Sequence, residues 1–86
     1  MKIKSLSELQ DIGDESNKPE NAKYFTFDMG EYNDGIPTLA FWTGEPQFNE
    51  LHDIFIDNIS YFIEQSEFPL IEIDFDVDWS ECVFEV

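Results

Sequence analysis

The chain has 86 residues, including twenty Asp or Glu and four Lys, and its formal net charge at pH 7 is −16. All four lysines precede Tyr24, and the segment from Tyr24 to Val86 contains fifteen acidic residues and no base except His52. DNA, RNA and anionic membrane surfaces should repel such a chain. Hydrophobic residues still make up 42%, which favours a folded core over disorder.

A single domain spanning residues 1–86 is expected from this length. A domain of this size buries only roughly 60 to 65% of the surface of its unfolded chain, and repulsion among carboxylates lowers its stability further. A net charge of magnitude about 2 to 8 already keeps a small domain soluble. The excess charge therefore suggests a role in binding, with halophilic adaptation as the competing explanation.

Several classes of protein are disfavoured by what the sequence lacks. Cys82 is the single cysteine, so an intramolecular disulfide or a thiol metal cluster is excluded. The N-terminal residues are too polar for a signal peptide, and no apolar run approaches the ~20 residues that span a bilayer. We expect a cytoplasmic protein.

Residues 5–8 (Ser-Leu-Ser-Glu) have the form of a capping box and predict a short helix ending at about Ile12 or Gly13. Residues 14–22 are polar, contain Pro19 and show no regular spacing of hydrophobic residues, so we expect a mobile loop there. The alternation over residues 23–29 predicts a half-buried strand, and residues 36–43 are rich in β-formers. Together the two segments predict a β-hairpin connected through residues 30–35.

The segment from Phe48 to Glu67 is predicted to form the main amphipathic helix. At ~100° per residue its apolar and acidic side chains separate onto opposite sides. Ile54 and Tyr61 fall on the flank beside the acids. The apolar side carries Phe48, Leu51, Phe55, Ile59, Phe62 and Ile63, and the acidic side carries Glu50, Asp53, Asp57 and Glu64.

Residues 70–79 alternate between apolar and acidic side chains and predict a strand. Near Ser80 the alternation shifts by one residue: apolar side chains occupy odd-numbered positions before it and the even-numbered positions Cys82, Phe84 and Val86 after it. A bulge or turn is therefore needed near Ser80. The sequence therefore predicts an α+β fold in two layers: an antiparallel sheet of 3–4 strands packed against one main amphipathic helix, plus a short N-terminal helix. Ile71, Ile73, Phe75, Val77 and Trp79 are predicted to face the core, and Glu72, Asp74, Asp76 and Asp78 to face away.

We call the acidic set of this segment, Glu72, Asp74, Asp76 and Asp78, the anionic row. In a strand, side chains two apart project from one face about 6.6 to 6.8 Å from each other. An alternating strand commonly has a solvated face, but such faces usually mix in Lys, Arg, Thr or Ser, and Asp is a poor strand former. This pattern favours a functional role for the row.

The sequence contains part of a calcium-loop pattern and few residue types that serve in active sites. Asp74, Asp76, Asp78 and Glu85 match positions 1, 3, 5 and 12 of an EF-hand loop, but Trp79 occupies the sixth position, where glycine is required. His52 is the only histidine, and the chain has no arginine or Gly-rich phosphate loop. We therefore expect no catalytic residue, no metal site and no cofactor.

In charge, size and lack of catalytic residues the chain resembles nucleic-acid-mimicking inhibitors and immunity proteins that neutralise toxin nucleases, although no motif ties it to one family. This resemblance implies a DNA mimic that occludes the basic site of a nuclease, restriction enzyme, CRISPR effector or repair enzyme, as in phage counter-defence. An immunity protein and a Ca²⁺-dependent adaptor are the alternatives, and monomer or dimer is left open. The predicted partner-binding residues are the anionic row with Glu50, Asp53, Asp57, Glu64, Ile54 and Tyr61.

Overall fold

A computed structural model describes residues 2–28, 37–56, 61–63 and 71–86, with the backbone alone for 61–63. The chain has an α+β fold, as the sequence predicts. Within the described residues no helix is both long enough and apolar enough to cross a bilayer. In chain order the elements are β1 (Lys2–Ile3), α1 (Leu6–Glu15), β2 (Tyr24–Asp28), β3 (Thr38–Trp42), β4 (Gln47–Asn49), β5 (Ile54–Ile56), β6 (Tyr61–Ile63), β7 (Glu72–Ile73), a 3₁₀ helix (Trp79–Glu81) and β8 (Val83–Glu85).

The main sheet has four strands in the order β6-β3-β2-β8, and all neighbouring strands are antiparallel. The predicted pairing of β2 with β3 is confirmed, with Phe25 opposite Phe41; the turn between these strands lies outside the described residues. Two smaller sheets accompany the main one. β1 pairs with β7 in parallel, and β4 pairs with β5 as an antiparallel hairpin.

One face of the main sheet carries the larger hydrophobic core, here called the first core. Phe25 is completely buried, and its ring centroid lies 6.2 Å from those of Phe27 and Phe41 and 5.1 Å from that of Phe84. Helix α1 and the segment 71–82 cover this face. From these elements and β1 the first core receives Ile3, Leu9, Ile12, Ile71, Trp79 and Cys82.

The opposite face of the main sheet carries a second core, made of Ala40, Trp42 and Phe55. The β4–β5 hairpin supplies Phe55 and covers this face. Thr26 points to the same side and is completely buried, and its Oγ1 accepts a hydrogen bond of 2.8 Å from Trp42 Nε1. The sheet is therefore covered on both faces, which gives three layers where the sequence predicts two.

Helix α1 begins as predicted and ends later. Ser5 Oγ accepts a hydrogen bond from the Glu8 amide, and Glu8 Oε2 accepts one from the Lys4 amide, so the capping box is confirmed. The predicted end at Ile12 or Gly13 is wrong, because the helix continues to Glu15. Ser16 Oγ donates to the Ile12 carbonyl and so satisfies a carbonyl of the last turn. The irregular segment therefore spans residues 16–23 rather than 14–22.

The helix predicted from Phe48 to Glu67 is absent from the described part of that range, which contains β4, β5 and β6 instead. Asp53 has φ 56°, which interrupts a right-handed helix. The sequences of β5 (Ile-Phe-Ile) and β6 (Tyr-Phe-Ile) combine β-branched and aromatic residues, which favour strands. In a helix the acidic side would also have placed like charges three and four residues apart, which is destabilising.

The long strand predicted over residues 70–79 is shortened to Glu72–Ile73. Its partner β1 has only two residues before the chain turns at Ser5 to enter α1, so the ladder cannot extend. The chain bends at Phe75, and residues 76–78 have no regular structure. The predicted shift in the alternation near Ser80 is confirmed, because the 3₁₀ helix lies between the two alternating segments. Cys82 and Phe84 are buried as predicted, whereas Val86 is exposed.

A methyl group at Gly13 should destabilise the fold. A Cβ built there would lie 2.1 Å from Phe25 Cε2, and the ring is confined by the first core. We expect Gly13→Ala to lower the free energy of unfolding by about 1 to 3 kcal/mol through overpacking, despite the better helix propensity of alanine. Urea denaturation measures the change. Asp11→Ala, at an exposed position of the same helix, is the matched control, and a Gly13→Ala protein as stable as the parent would contradict this packing.

Candidate functional site

All four carboxylate side chains of the anionic row are exposed. Between them Ile73, Phe75 and Val77 are half-buried and pack against the first core. Ile71 before the row and Trp79 after it are both buried. The predicted alternation of side-chain exposure is therefore confirmed, although most of the segment is not a strand.

Backbone contacts hold the start of the row in place. The Asp74 amide donates a hydrogen bond of 2.8 Å to the Ile3 carbonyl, directly after the two residues of β7 that pair with β1. The register places Lys2 beside Glu72, so the first carboxylate of the row has a basic neighbour. Asp74, Asp76 and Asp78 follow the two paired residues of β7.

Asp78 also has a structural role at the end of the row. It is the N-cap of the 3₁₀ helix, where its Oδ1 accepts a hydrogen bond of 3.0 Å from the Ser80 amide and another from Ser80 Oγ. A side-chain oxygen at an N-cap typically stabilises a protein by about 1 kcal/mol relative to alanine. Asparagine retains the equivalent oxygen, so Asp78→Asn can remove the charge while keeping the cap.

The calcium-loop pattern is not assembled into a site within the described part of the chain. Asp78 serves as a cap, and Glu85, the twelfth position of the pattern, lies in β8 opposite Tyr24. No group of three His, Cys, Asp or Glu side chains among the described residues could hold a metal ion. The geometry thus gives the Ca²⁺ alternative no specific support.

Two of the predicted helix acids, Glu50 and Asp53, are exposed in the turn of the β4–β5 hairpin. Asn49 Oδ1 accepts a hydrogen bond of 3.0 Å from the Leu51 amide, which shapes this turn together with the positive φ of Asp53. His52, predicted at the margin of a helix, is also exposed in the turn. These acids therefore project from a loop tip rather than from a helix face.

Two further predicted partner-binding residues, Ile54 and Tyr61, lie in different sheets. Ile54 lies in β5 of the small hairpin, whereas Tyr61 lies in β6 of the main sheet, opposite Trp42. The predicted proximity of this pair depends on a helical spacing, and both residues are in strands instead. Asp57 and Glu64 lie outside the described residues.

The anionic row and the hairpin acids are carried by different segments of the molecule. The apolar residues between the carboxylates of the row pack on the first core, whereas the hairpin packs on the second core through Phe55 and reaches both cores through Phe48. Alternate residues of β3 point to these two cores, with Phe41 in the first and Trp42 in the second. The two sets of carboxylates are therefore held by different segments, the row after β7 and Glu50 and Asp53 in the hairpin turn.

Sequence reasoning missed the exposed apolar residues of the hairpin. Leu51 is 84% exposed and Ile56 is 40% exposed, whereas the predicted helix places Leu51 on its apolar, core-facing side. A signal for the turn was present in Asn49, whose side chain can bond the amide two residues ahead, and in the β-branched residues after Asp53.

Cys82 lies beneath the end of the row and carries a protected thiol. Burial raises its pKa to about 12, and the nearby carboxylates of Asp78 and Glu81 add to that rise. The Sγ atom contacts the Asp78 carbonyl oxygen at 3.7 Å. The thiolate is the reactive form of cysteine, so this side chain is part of the core rather than a nucleophile.

Comparisons with known proteins give no assignment: no protein-family model, no curated protein and no solved structure matches this chain at a significant level.

Added salt should stabilise the free protein. The Cα extents are 32 × 29 × 20 Å, so at 0.01 M salt, where the Debye length is about 30 Å, carboxylates repel one another across the whole molecule. At 0.15 M the Debye length is about 8 Å, and only neighbouring charges interact. We expect the Tm to rise between these NaCl concentrations, measured by circular dichroism. An unchanged Tm would mean that the acidic residues act as separate charges.

The Cys82 thiol should make stability fall at alkaline pH. Below the usual cysteine pKa of 9.0 the thiol is protonated in both states, whereas between 9.0 and about 12 it is ionised only in the unfolded chain. The unfolded state then binds fewer protons, so the free energy of unfolding decreases by up to about 1.4 kcal/mol per pH unit. Cys82→Ala should remove this component. Urea denaturation from pH 8 to 11 measures the difference between the two slopes, and parallel curves would contradict the assignment.

Proposed function

We propose that this protein is an inhibitor that imitates the backbone of a nucleic acid and occludes the basic nucleic-acid-binding site of an enzyme. The target class comprises nucleases, restriction enzymes, CRISPR effectors and repair enzymes. The observation that carries this proposal is the exposure of all four carboxylates of the anionic row on a segment anchored in the first core. A basic cleft that normally binds phosphates would bind these carboxylates through its Lys and Arg side chains.

The anchoring matters because a flexible acidic tail would lose conformational entropy on binding. In this protein three half-buried apolar side chains between the carboxylates, together with buried residues at both ends, fix the direction of the row before any partner arrives. Preorganisation of this kind lowers the cost of association. It supports a docking role better than it supports a role in solubility, for which scattered charges suffice.

A single row of carboxylates favours imitation of one strand. Alternate residues repeat about every 6.6 to 6.8 Å along an extended chain, and a duplex carries phosphates on two strands. Imitating both strands would require a second row beside the first, but Glu50 and Asp53 lie in the turn of the β4–β5 hairpin.

Electrostatic repulsion within the free protein contributes to the proposed binding. The segment from Tyr24 onward has no lysine or arginine, so a cationic cleft would supply neutralising charges that this segment lacks. Association would then relieve repulsion in both partners. Complementary fields of this kind increase the association rate, and salt reduces their effect.

Neutralising the three aspartates of the row tests the proposal. The immobilised protein is used to capture a nucleic-acid enzyme from a plausible host lysate, and the captured enzyme is then purified. We expect Asp74→Asn, Asp76→Asn and Asp78→Asn together to weaken binding and inhibition of that enzyme by roughly threefold to a hundredfold, from about 0.2 to 1 kcal/mol for each charge contact. The salt dependence of Kd should also become weaker, and stability should be unchanged or higher, since asparagine keeps the cap at position 78.

The matched control is Asp11→Asn, Asp14→Asn and Glu20→Gln, which changes the net charge by the same three units at exposed positions of the N-terminal region. This control should retain most of the affinity. If both triple variants lose affinity equally, the partner senses net charge and not the row. If the row variant binds and inhibits like the parent, the proposed function is wrong.

A further inference from the structure

The outward side of the β4–β5 hairpin exposes an unusual amount of apolar surface. Among the described residues three large hydrophobic side chains are exposed, and two of them, Leu51 and Ile56, lie in this short hairpin. Ile54 is half-buried two residues before Ile56 and therefore on the same side of β5. Single exposed apolar residues are common on protein surfaces, but two exposed and one half-buried on one short hairpin form a patch.

The patch has a firm support. On the inward side of the hairpin, Phe48 and Phe55 are register partners whose rings pack edge to face with centroids 5.0 Å apart. The Phe55 amide also donates a hydrogen bond of 3.1 Å to Asp28 Oδ2, which joins the hairpin to β2. Because Phe48 and Phe55 point inward, the residues that alternate with them must point outward. The exposure of Ile56 is thus a consequence of the strand register.

The charges around the patch indicate the chemistry of its partner. Glu45, Glu50 and Asp53 are exposed beside it, and the segment from Tyr24 onward has no lysine or arginine. A second copy of this chain would bring another net charge of −16 to the contact, so self-association is opposed by repulsion. A partner that presents apolar side chains bordered by Lys or Arg satisfies both the apolar and the acidic parts of the surface.

We propose that the outward face and tip of the β4–β5 hairpin form a second docking surface, which binds a basic amphipathic helix of a protein partner. A helix is an element that covers an open sheet face in layered folds, and its apolar stripe would pack on Leu51, Ile54 and Ile56. Lys and Arg beside that stripe would face Glu50 and Asp53. This surface belongs to the β4–β5 hairpin and shares no residue with the anionic row, so it is distinct from the surface of the proposed function.

A synthetic peptide provides the probe. It contains only Leu and Lys, is about 18 residues long so that it can form a helix, and has its leucines at helical spacing on one side. A scrambled peptide of the same composition is the control. We expect the amphipathic peptide to bind with micromolar Kd at 0.15 M NaCl, with NMR amide shift changes concentrated in residues 47–56 and at least tenfold weaker binding of the scrambled peptide.

Variants of the protein locate the contact. Leu51→Ser with Ile56→Ser should weaken binding of the amphipathic peptide at least tenfold. Leu51→Ser alone, at a position that is 84% exposed, should also weaken binding and keep the unfolding midpoint, whereas Ile56 is only 40% exposed and its replacement should lower the midpoint. Val86→Ser, at an exposed apolar position outside the hairpin, should bind like the parent. Asp74→Asn, Asp76→Asn and Asp78→Asn should also leave this binding within about twofold, which separates the second docking surface from the anionic row.

Three results would overturn the proposal. The first is equal binding of the two peptides with shift changes centred on residues 72–78, which would mean simple charge attraction to the row. The second is the absence of peptide binding. The third is a dimer in sedimentation equilibrium that dissociates in the Leu51→Ser, Ile56→Ser variant, which would show that a second copy covers the patch. The proposed function is tested on a different target with different variants, so it can survive any of these results.

Discussion

The structure depends on the burial of Phe25 at the centre of a strongly self-repelling chain. Its strand β2 pairs with β3 on one side and with β8 on the other, and its ring contacts those of Phe27, Phe41 and Phe84. Gly13 brings helix α1 directly onto the same ring. Aromatic side chains bury a large area each, which allows a small core to oppose the repulsion of a net charge of −16.

The two cores divide the acidic surface. The anionic row is attached through apolar residues to the first core, and the hairpin is attached through Phe55 to the second. An acidic protein can imitate a duplex only if its carboxylates form parallel rows on one side, and this fold holds these two sets in different segments. The separation favours two surfaces with different chemistry: a row of carboxylates on one segment, and apolar residues bordered by acids on the other.

The sequence predicted elements reliably where one local signal dominated. The capping box and the β2–β3 pairing are confirmed because side-chain hydrogen bonding and alternation act over a few residues. The helix over residues 48–67 was wrong because a spacing of three to four apolar residues also fits short strands with a turn between them. Two signals against that helix were present: β-branched residues in the β5 and β6 segments, and an acidic side without lysine. Repulsion between like charges three and four residues apart on that side is a physical reason for the helix not to form.

The anionic row shows why the candidate site was more predictable than its secondary structure. The alternation of residues 71–79 fixed which side chains are buried, because each apolar residue gains by removing its surface from water whether or not the backbone pairs with another strand. The length of the paired strand depends instead on its partner β1, which offers only two residues. The sequence of the row contains no information about that partner. Side-chain burial and the cap at Asp78 hold the row beyond β7, and only its first residues are held by a hydrogen-bonded ladder. The directions of the carboxylates are therefore set mainly by the burial of the apolar side chains between them, and only at the start of the row by strand pairing.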